Sequence, residues 1–463
     1  MKAHELKKLD SELTSFLAAM TDRMGRPERR AAMGNYVTGL LLDGERKSVQ
    51  PMAARLVSDP AEADAMRQRL TDCVGVSAWS DDESFRRLAL KFEAELPGIE
   101  AFVLDDTGFP KKGTLSVGVA RQYSGTLGRT ENCQVATSLH LAGEKGSGCM
   151  GLRLYLPDEW TDDRERCRAA GVPDDIEFQK KWEIALAQID RALRWGLPKR
   201  LVLADSGYGE VPEFRDGLVK RGLQYIVGVP GNHLIWPPGS DPRVPKRTRR
   251  PGRPRTQWRD GDKEPIPIAK LVEGIPRKRY KTITWREGSR GRTMSSKFLF
   301  HRVRPAEGHT KGRPPAEEQW LICDWPKSDK KPKFHFSNLA ASTTKKELVR
   351  LRKLRWRVER DYQEMKGELG LDHYEGRTWR GFHHHATLCA LAHGFLSLRR
   401  ALFPPEEPSE VDVADSAPSS SADSAYADRI VSAVQPPRRS SVGTPSGIAA
   451  LMGAERSCEE QIR

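Results

Sequence analysis

The hydrophobic period of the chain changes near Glu100, and that change limits the fold more than any other feature. Before it, Leu9, Leu13, Phe16 and Met20 recur at helical spacing, and Met33 to Leu56 forms two amphipathic stretches broken at Asp43-Gly44, as in helices with one apolar face. After it come short apolar runs separated by turns: Ala101 to Leu104, Val117 to Ala120, Val135 to Leu141 and Leu152 to Leu156. A long amphipathic segment, Phe178 to Trp195, leads into Arg200 to Ala204, a helical stretch at Val211 to Arg221 and a strand-like run at Tyr225 to Val229. Hairpin strands that later alternate with helices predict an α/β fold with a mixed sheet, behind a helical N-terminal unit.

Charge marks where this pattern is interrupted. The 463 residues carry a net charge of +14, and most of it lies between Asp241 and Arg290, where 16 Lys and Arg face 6 Asp and Glu. A polyanion is the natural partner of such a segment. Its centre holds Lys246, Arg247, Arg249, Arg250, Arg253 and Arg255. The Gly252-Arg253-Pro254 step is like that of a minor-groove hook, but Pro251 stands where that motif has arginine, so the segment is read as a phosphate-binding arm. β-like pieces at Lys281 to Trp285 and Lys297 to Phe300 make the insertion β-rich, and strands at Trp320 to Cys323 and Phe334 to Phe336 resume the sheet.

Thr344 and Glu347 fit a capping box, predicting a helix through about Leu369, and a second helix covers about His383 to Leu402. From Phe403, Pro, Ser, Ala and Asp dominate, a composition that predicts a disordered tail. The expected units are therefore 1–98 (helical), 99–230 and 319–402 (two parts of one α/β domain), 231–318 (basic insertion) and 403–463 (tail). Seven scattered cysteines without a C-x-x-C pair read as reduced structural thiols. With no apolar run of membrane length and no apolar leader in MKAHELKKLDSEL, a cytoplasmic protein with no membrane partner is expected.

Three carboxylates occupy positions that such a domain can bring together. Asp106 ends the first apolar strand, Asp205 ends a later buried one, and Glu359 lies in the helical segment that follows. Strand ends and a helix at the sheet edge form a cleft, and acidic oxygens there suit Mg²⁺. Asp105 competes with Asp106, since neighbouring strand residues point to opposite faces and only one is expected in the cleft. Arg355, Glu359 and Lys366 fall along one helix face, presenting an acid between two cations able to hold DNA phosphates. His383, His384 and His385 cannot all face one metal on a helix and read as a polar helix start. Trp236, Trp258 and Trp285 are candidates for stacking an unpaired base, with packing the plainer role.

These residues resemble the DDE transposases of bacterial insertion sequences, in the cut-and-paste superfamily with a Tyr-x2-Arg-x3-Glu-x6-Lys signature. Arg355, Glu359 and Lys366 match its Arg, Glu and Lys, while Arg352 stands in place of its Tyr. Asp105 to Gly113, Gly118 to Gly128, Asn132 to Val135, Ala204 to Gly209 and Leu369 to Arg377 extend the resemblance over roughly residues 30 to 400. It selects Asp106 as first acid. It implies DNA-end binding for 1–98, an RNase H-like catalytic role for the α/β domain, and two Mg²⁺ ions replaceable by Mn²⁺. It further implies double-stranded DNA partners at transposon ends and target, a homodimer in the synaptic complex, and end cleavage followed by strand transfer. A catalytically inactive regulator derived from a transposase, or an RNase H-like nuclease, are the other readings.

If several of Lys246, Arg247, Arg249, Arg250, Arg253 and Arg255 contact phosphates, each contact contributes about −0.9 to the slope of log K against log salt. Changing four of them to Ala should flatten the salt dependence of binding to specific and random duplexes alike, measured by fluorescence anisotropy; an unaltered slope would identify a solvated loop.

Overall fold

The computed structural model describes residues 3–125, 128–244, 257–261, 263–287, 293–326 and 331–402. The core of the basic arm, Lys246 to Arg255, and the tail expected to be disordered lie outside them. The N-terminal segment forms helices α1 (Ala3–Thr21), α2 (Pro27–Leu41), α3 (Val49–Leu56), α4 (Ala63–Gly75) and α5 (Asp81–Glu95). Leu9, Leu13, Phe16 and Met20 are buried, as their spacing requires. Ser80 caps α5 by accepting from the Glu83 amide at 3.1 Å, ahead of Asp81, Asp82 and Glu83, which complement the helix dipole.

The sheet begins with β1 (Ile99–Pro110), β2 (Ala120–Ser124), β3 (Arg129–Gly143) and β4 (Ser147–Leu154). Short helices α6 (Asp158–Thr161) and α7 (Arg164–Ala169) lead to α8 (Lys181–Arg194), then to β5 (Leu201–Ala204), the single turn α9 (Ser206–Gly209), α10 (Pro212–Lys220) and β6 (Tyr225–Val229). The segment 231–318 supplies β7 (Leu234–Trp236), β8 (Ile266–Pro267), α11 (Ile268–Val272), β9 (Lys281–Glu287) and β10 (Thr293–Pro305). Next come β11 (Gln319–Trp325), β12 (Lys333–Ser337), α12 (Lys345–Lys353), α13 (Trp356–Gly367) and α14 (Trp379–Leu402).

The strands join in one mixed sheet of order β2-β3-β1-β5-β6-β12-β11-β10-β7-β8, with β4 on β3 and β9 on β10. The strands of the insertion thus prolong the same sheet. β1 is antiparallel to β3 and parallel to β5, and β5 is parallel to β6. Alternation along β1 and β5 divides the core. Phe102, Leu104, Val202 and Ala204 join the larger apolar cluster, which includes α8, α10 and the N-terminal helices. Ala101, Val103, Leu201 and Leu203 face a second cluster with Leu348, Val349 and Val358 of α12 and α13.

Two expectations change. The helix foreseen from Thr344 to about Leu369 is interrupted at Leu354-Arg355, although Thr344 does cap α12 through Glu347 N at 3.2 Å. No Gly or Pro marks the break. Its cause is tertiary: Arg352 and Lys353 of α12 are held by the buried Asp324 of β11 at 2.8 and 2.9 Å, whereas α13 docks on β3 and β4. The three histidines are not a polar helix start; they lie one turn inside α14 and are buried. His383 accepts from the Leu154 amide at 3.3 Å. His384 stacks on Trp79 with centroids 3.8 Å apart. His385 bonds the Tyr36 hydroxyl at 2.9 Å. They join α14 to the N-terminal helices and to β4. The described cysteines are free and buried, as expected.

The inner face of α13 is fixed by buried polar groups. Asp361 meets His140 Nδ1 at 2.6 Å and accepts from Ser147 Oγ at 2.6 Å. One turn on, Glu364 meets Arg360 at 2.6 Å, His393 at 3.3 Å and Arg400 at 2.9 Å. Burial alone would push His140 down, but Cys149 and the Asp361 carboxylate outweigh it and raise it to about 10. Burial alone would push Asp361 up; His393, His140 and Ser147 hold it below the ordinary carboxylate range.

Removing one member of a buried pair strands the other, so Asp361→Ala should cost about 3–5 kcal/mol in urea denaturation. The raised histidine stabilises fully below its ordinary value and the lowered aspartate fully above its own, so the pair contributes most between about pH 4 and 6.5. Its contribution should fade as pH rises through about 10 and as it falls through the lowered Asp361 value, and denaturation of Asp361→Ala across pH should lack both losses.

Candidate active site

Register creates the site. β1 and β5 run in parallel from Ala101 beside Leu201 to Leu104 beside Ala204. There β5 ends, while β1 continues to Pro110 against β3, so Asp106, expected to end its strand, lies inside it opposite Thr137 because the β3 ladder carries β1 on. Beyond the end of β5, Asp105 and Asp106 both line a cavity of about 710 Å³, contrary to the expectation that only one would enter; Asp105 meets Arg355, while Asp106 meets Lys181 and Tyr208.

Asp205 caps the α9 turn; its Oδ1 accepts from the Gly207 amide at 3.0 Å and the Tyr208 amide at 3.4 Å. The glycines of this turn serve close packing. A Cβ on Gly209 would lie 1.9 Å from the Gly228 carbonyl oxygen, and one on Gly228 would lie 2.7 Å from the Ser206 nitrogen, so the turn is pressed onto β6. Arg215 of α10 donates to the Gly209 carbonyl and pairs with Glu307, which His233 also contacts. The base of the insertion is thereby tied to the turn that begins with Asp205. Tyr208 is buried and donates its hydroxyl to Asp106 Oδ1.

Glu359 lies in the first turn of α13, with its side chain 62% exposed, and pairs with Arg355. The guanidinium of Arg355 also meets Asp105 Oδ2 at 3.2 Å. Lys366 donates to the Gly108 carbonyl at 2.8 Å, so both cations of the signature reach β1. Asp106, Asp205 and Glu359 all line the 710 Å³ cavity together with Arg355 and Lys366. Asp205, Arg355 and Glu359 also line a second cavity of about 1210 Å³, which extends toward Trp325 and Tyr280.

The electrostatics are those of crowded carboxylates. Burial raises Asp105 to about 7, opposed by Arg355 and reinforced by Asp205 and Asp106. Burial and the charge of Asp106 raise Asp205, again opposed by Arg355. Burial would lower Arg355, but Asp105, Glu359 and Asp205 outweigh it. Among the described residues no three His, Cys, Asp or Glu side chains converge as metal ligands; Glu359 is turned to Arg355.

Other candidates fall elsewhere. Arg352, at the tyrosine position of the signature, is paired with buried Asp324. Trp236 is buried with its ring edge on to His309, Trp258 donates to the Gly312 carbonyl at 3.2 Å, and Trp285 lies beneath the Lys353 ammonium at 4.2 Å. Two site residues escaped the sequence reading. Lys181 of α8 meets Asp106 Oδ2 at 2.7 Å, and its only signal was a cation at a helix start, where the dipole disfavours it. Tyr208 carried no signal of its own in the sequence, since a tyrosine between two glycines reads as an ordinary turn residue.

A family model described as DDE superfamily endonuclease matches residues 19–292, ending before α13. Over 200 residues, 42% of this chain, the sequence is 33% identical to the probable transposase for insertion sequence element IS701 of Microchaete diplosiphon. The match covers 48% of that protein, so the chain spans about half the length of this relative.

Tyr208→Phe removes a buried hydroxyl shared between Asp106 and Thr137, the latter at 3.3 Å. Loss of this charge-assisted bond should cost about 1.5–3 kcal/mol, read as a lower urea midpoint with an unchanged m-value.

Proposed function

The chain belongs to the DDE superfamily of endonucleases, and from that premise we propose that it is an insertion-sequence transposase, which cuts DNA at the ends of its element and joins them to target DNA. The observation that carries this reading is a single cavity lined by Asp106, Asp205 and Glu359, three acids contributed by the middle of β1, the end of β5 and a helix. The order β4-β3-β1-β5-β6, antiparallel on one side of β1 and parallel on the other, supports an RNase H-like catalytic domain. The similarity to the IS701 protein supports DNA as substrate.

The donor set fits a hard divalent cation. It is all oxygen, and Asp106 and Asp205 are close enough for the charge of one to raise the other, a repulsion that Mg²⁺ or Mn²⁺ relieves. Asp106, Asp205 and Glu359 would hold the ions, two by analogy with other phosphodiester-cleaving sites. When bound, such ions lower the pKa of water and offset charge developing on phosphoryl oxygens. The protein supplies the rest. The α9 turn fixes Asp205 through two amides, α13 carries Glu359 on a face whose reverse is locked by Asp361 and Glu364, and Arg355 and Lys366, which line the same cavity, would offer cations to phosphates of the cut strand. Water is the nucleophile in end cleavage and the freed 3′-OH the nucleophile in strand transfer. Two protomers bridging two ends, and a cytoplasmic, nucleoid-associated protein, complete the reading.

Asp106→Asn, Asp205→Asn and Glu359→Gln should each abolish metal-dependent nicking of duplexes carrying the repeats that flank the gene. They should leave binding to those duplexes nearly unchanged, because most affinity comes from cations elsewhere. Normal cleavage by Glu359→Gln would overturn the third acid; wild-type binding without nicking in Mg²⁺ or Mn²⁺ would favour a catalytically inactive regulator.

A further inference from the structure

The cavity that holds the acids has lining residues that the acids and the signature cations do not account for. Tyr123 and Ser124 at the end of β2, and Lys181 at the start of α8, line it together with Asp106. Tyr123 is 61% exposed, an aromatic ring kept in water at the rim of a charged cleft. Arg121, two residues earlier on β2, is also exposed and so shares its strand face. A cation and an aromatic ring on one face are the pairing that proteins use to track a nucleic-acid strand, with phosphate on the cation and base on the ring. Lys181 is the third cation of the cavity after Arg355 and Lys366. One ammonium proton serves Asp106 at 2.7 Å, and the centre of the Tyr155 ring lies 5.9 Å from the ammonium; an ammonium has three donors, enough to reach an oxyanion beside that carboxylate as well.

We propose that Tyr123 and Lys181 form a subsite for one nucleotide of the strand held at the acids, the Lys181 ammonium taking a phosphate and the Tyr123 ring stacking on the adjoining base. The subsite rests on the transposase reading above and adds residues outside the acid triad and its signature. Stacking of this kind is indifferent to sequence, because every base has a π-face. The subsite therefore contributes affinity and position without contributing end specificity.

The test uses the full chain in EDTA, so that binding is read without cleavage, on a duplex bearing the flanking repeat and on a random duplex, each with a short unpaired 3′ overhang that leaves a base free to stack. Lys181→Met should reduce the slope of log K against log salt by about 0.9, the value for one phosphate contact, and Lys181→Arg should restore it. Tyr123→Ala should weaken both duplexes roughly tenfold, within the range expected for loss of one stacked base, whereas Tyr123→Phe should bind as wild type. If Lys181 serves only to neutralise Asp106, Lys181→Met will change the metal concentration needed for nicking and leave metal-free binding and its salt slope intact, which overturns the proposal. Equal affinity of Tyr123→Ala and wild type overturns it as well. Asp205→Asn, run beside these variants, separates the two readings: retained nicking there refutes the acid assignment, while unchanged metal-free binding by Lys181→Met and Tyr123→Ala refutes the subsite alone.

Discussion

The parallel pairing of β1 with β5 is the constraint from which the candidate site follows. Its register ends at Leu104 and Ala204, so the next residues of both strands emerge at one level, and carboxylates a hundred residues apart in sequence become neighbours. Because β1 runs on while β5 turns into α9, the edge is a notch rather than a flat rim, and Asp105 and Asp106 both line it. A pairing one residue out of register would turn every side chain of a strand to the opposite face and dissolve the cluster.

The acids are gathered at a cost that the surrounding cations offset. Burial raises Asp105 and Asp205, reinforced by Asp205 and Asp106 for the first and by Asp106 for the second, and Arg355 opposes the rise in both. The same guanidinium pairs with Glu359, so one arginine links the helix to the strand. Lys181 does likewise for Asp106 from α8, and Lys366 ties the far end of α13 to the Gly108 carbonyl. Behind α13, Asp361 and Glu364 engage His140, Ser147, His393 and Arg400, leaving the helix little freedom to rotate. The site is therefore held from outside by cations and from beneath by a buried network, so its carboxylates stay in place although burial and mutual repulsion oppose their charge.

By itself the sequence determined the periods of the elements and the acids worth testing. The helical spacing of Leu9 to Met20, the apolar runs at Ala101, Arg200 and Tyr225, and the Thr344 cap are local signals, set by side-chain alternation and by hydrogen bonds within a few residues, and all reappear in the fold. Asp106, Asp205 and Glu359 could be named because strand ends and a helical spacing can be read along the chain. What only the tertiary structure decided depends on contacts distant in sequence. The break at Leu354-Arg355 has no Gly or Pro to announce it and arises because Asp324 holds one helix while the His140 strand holds the next. The histidines of α14 look polar in sequence but are buried, since Trp79, Tyr36 and Leu154 satisfy them from elsewhere in the chain. Lys181 looks like an ordinary surface cation until α8 sets it against Asp106. Periodicity tells which side of an element is apolar; it carries no information about which remote partner that side, or its polar opposite, will meet.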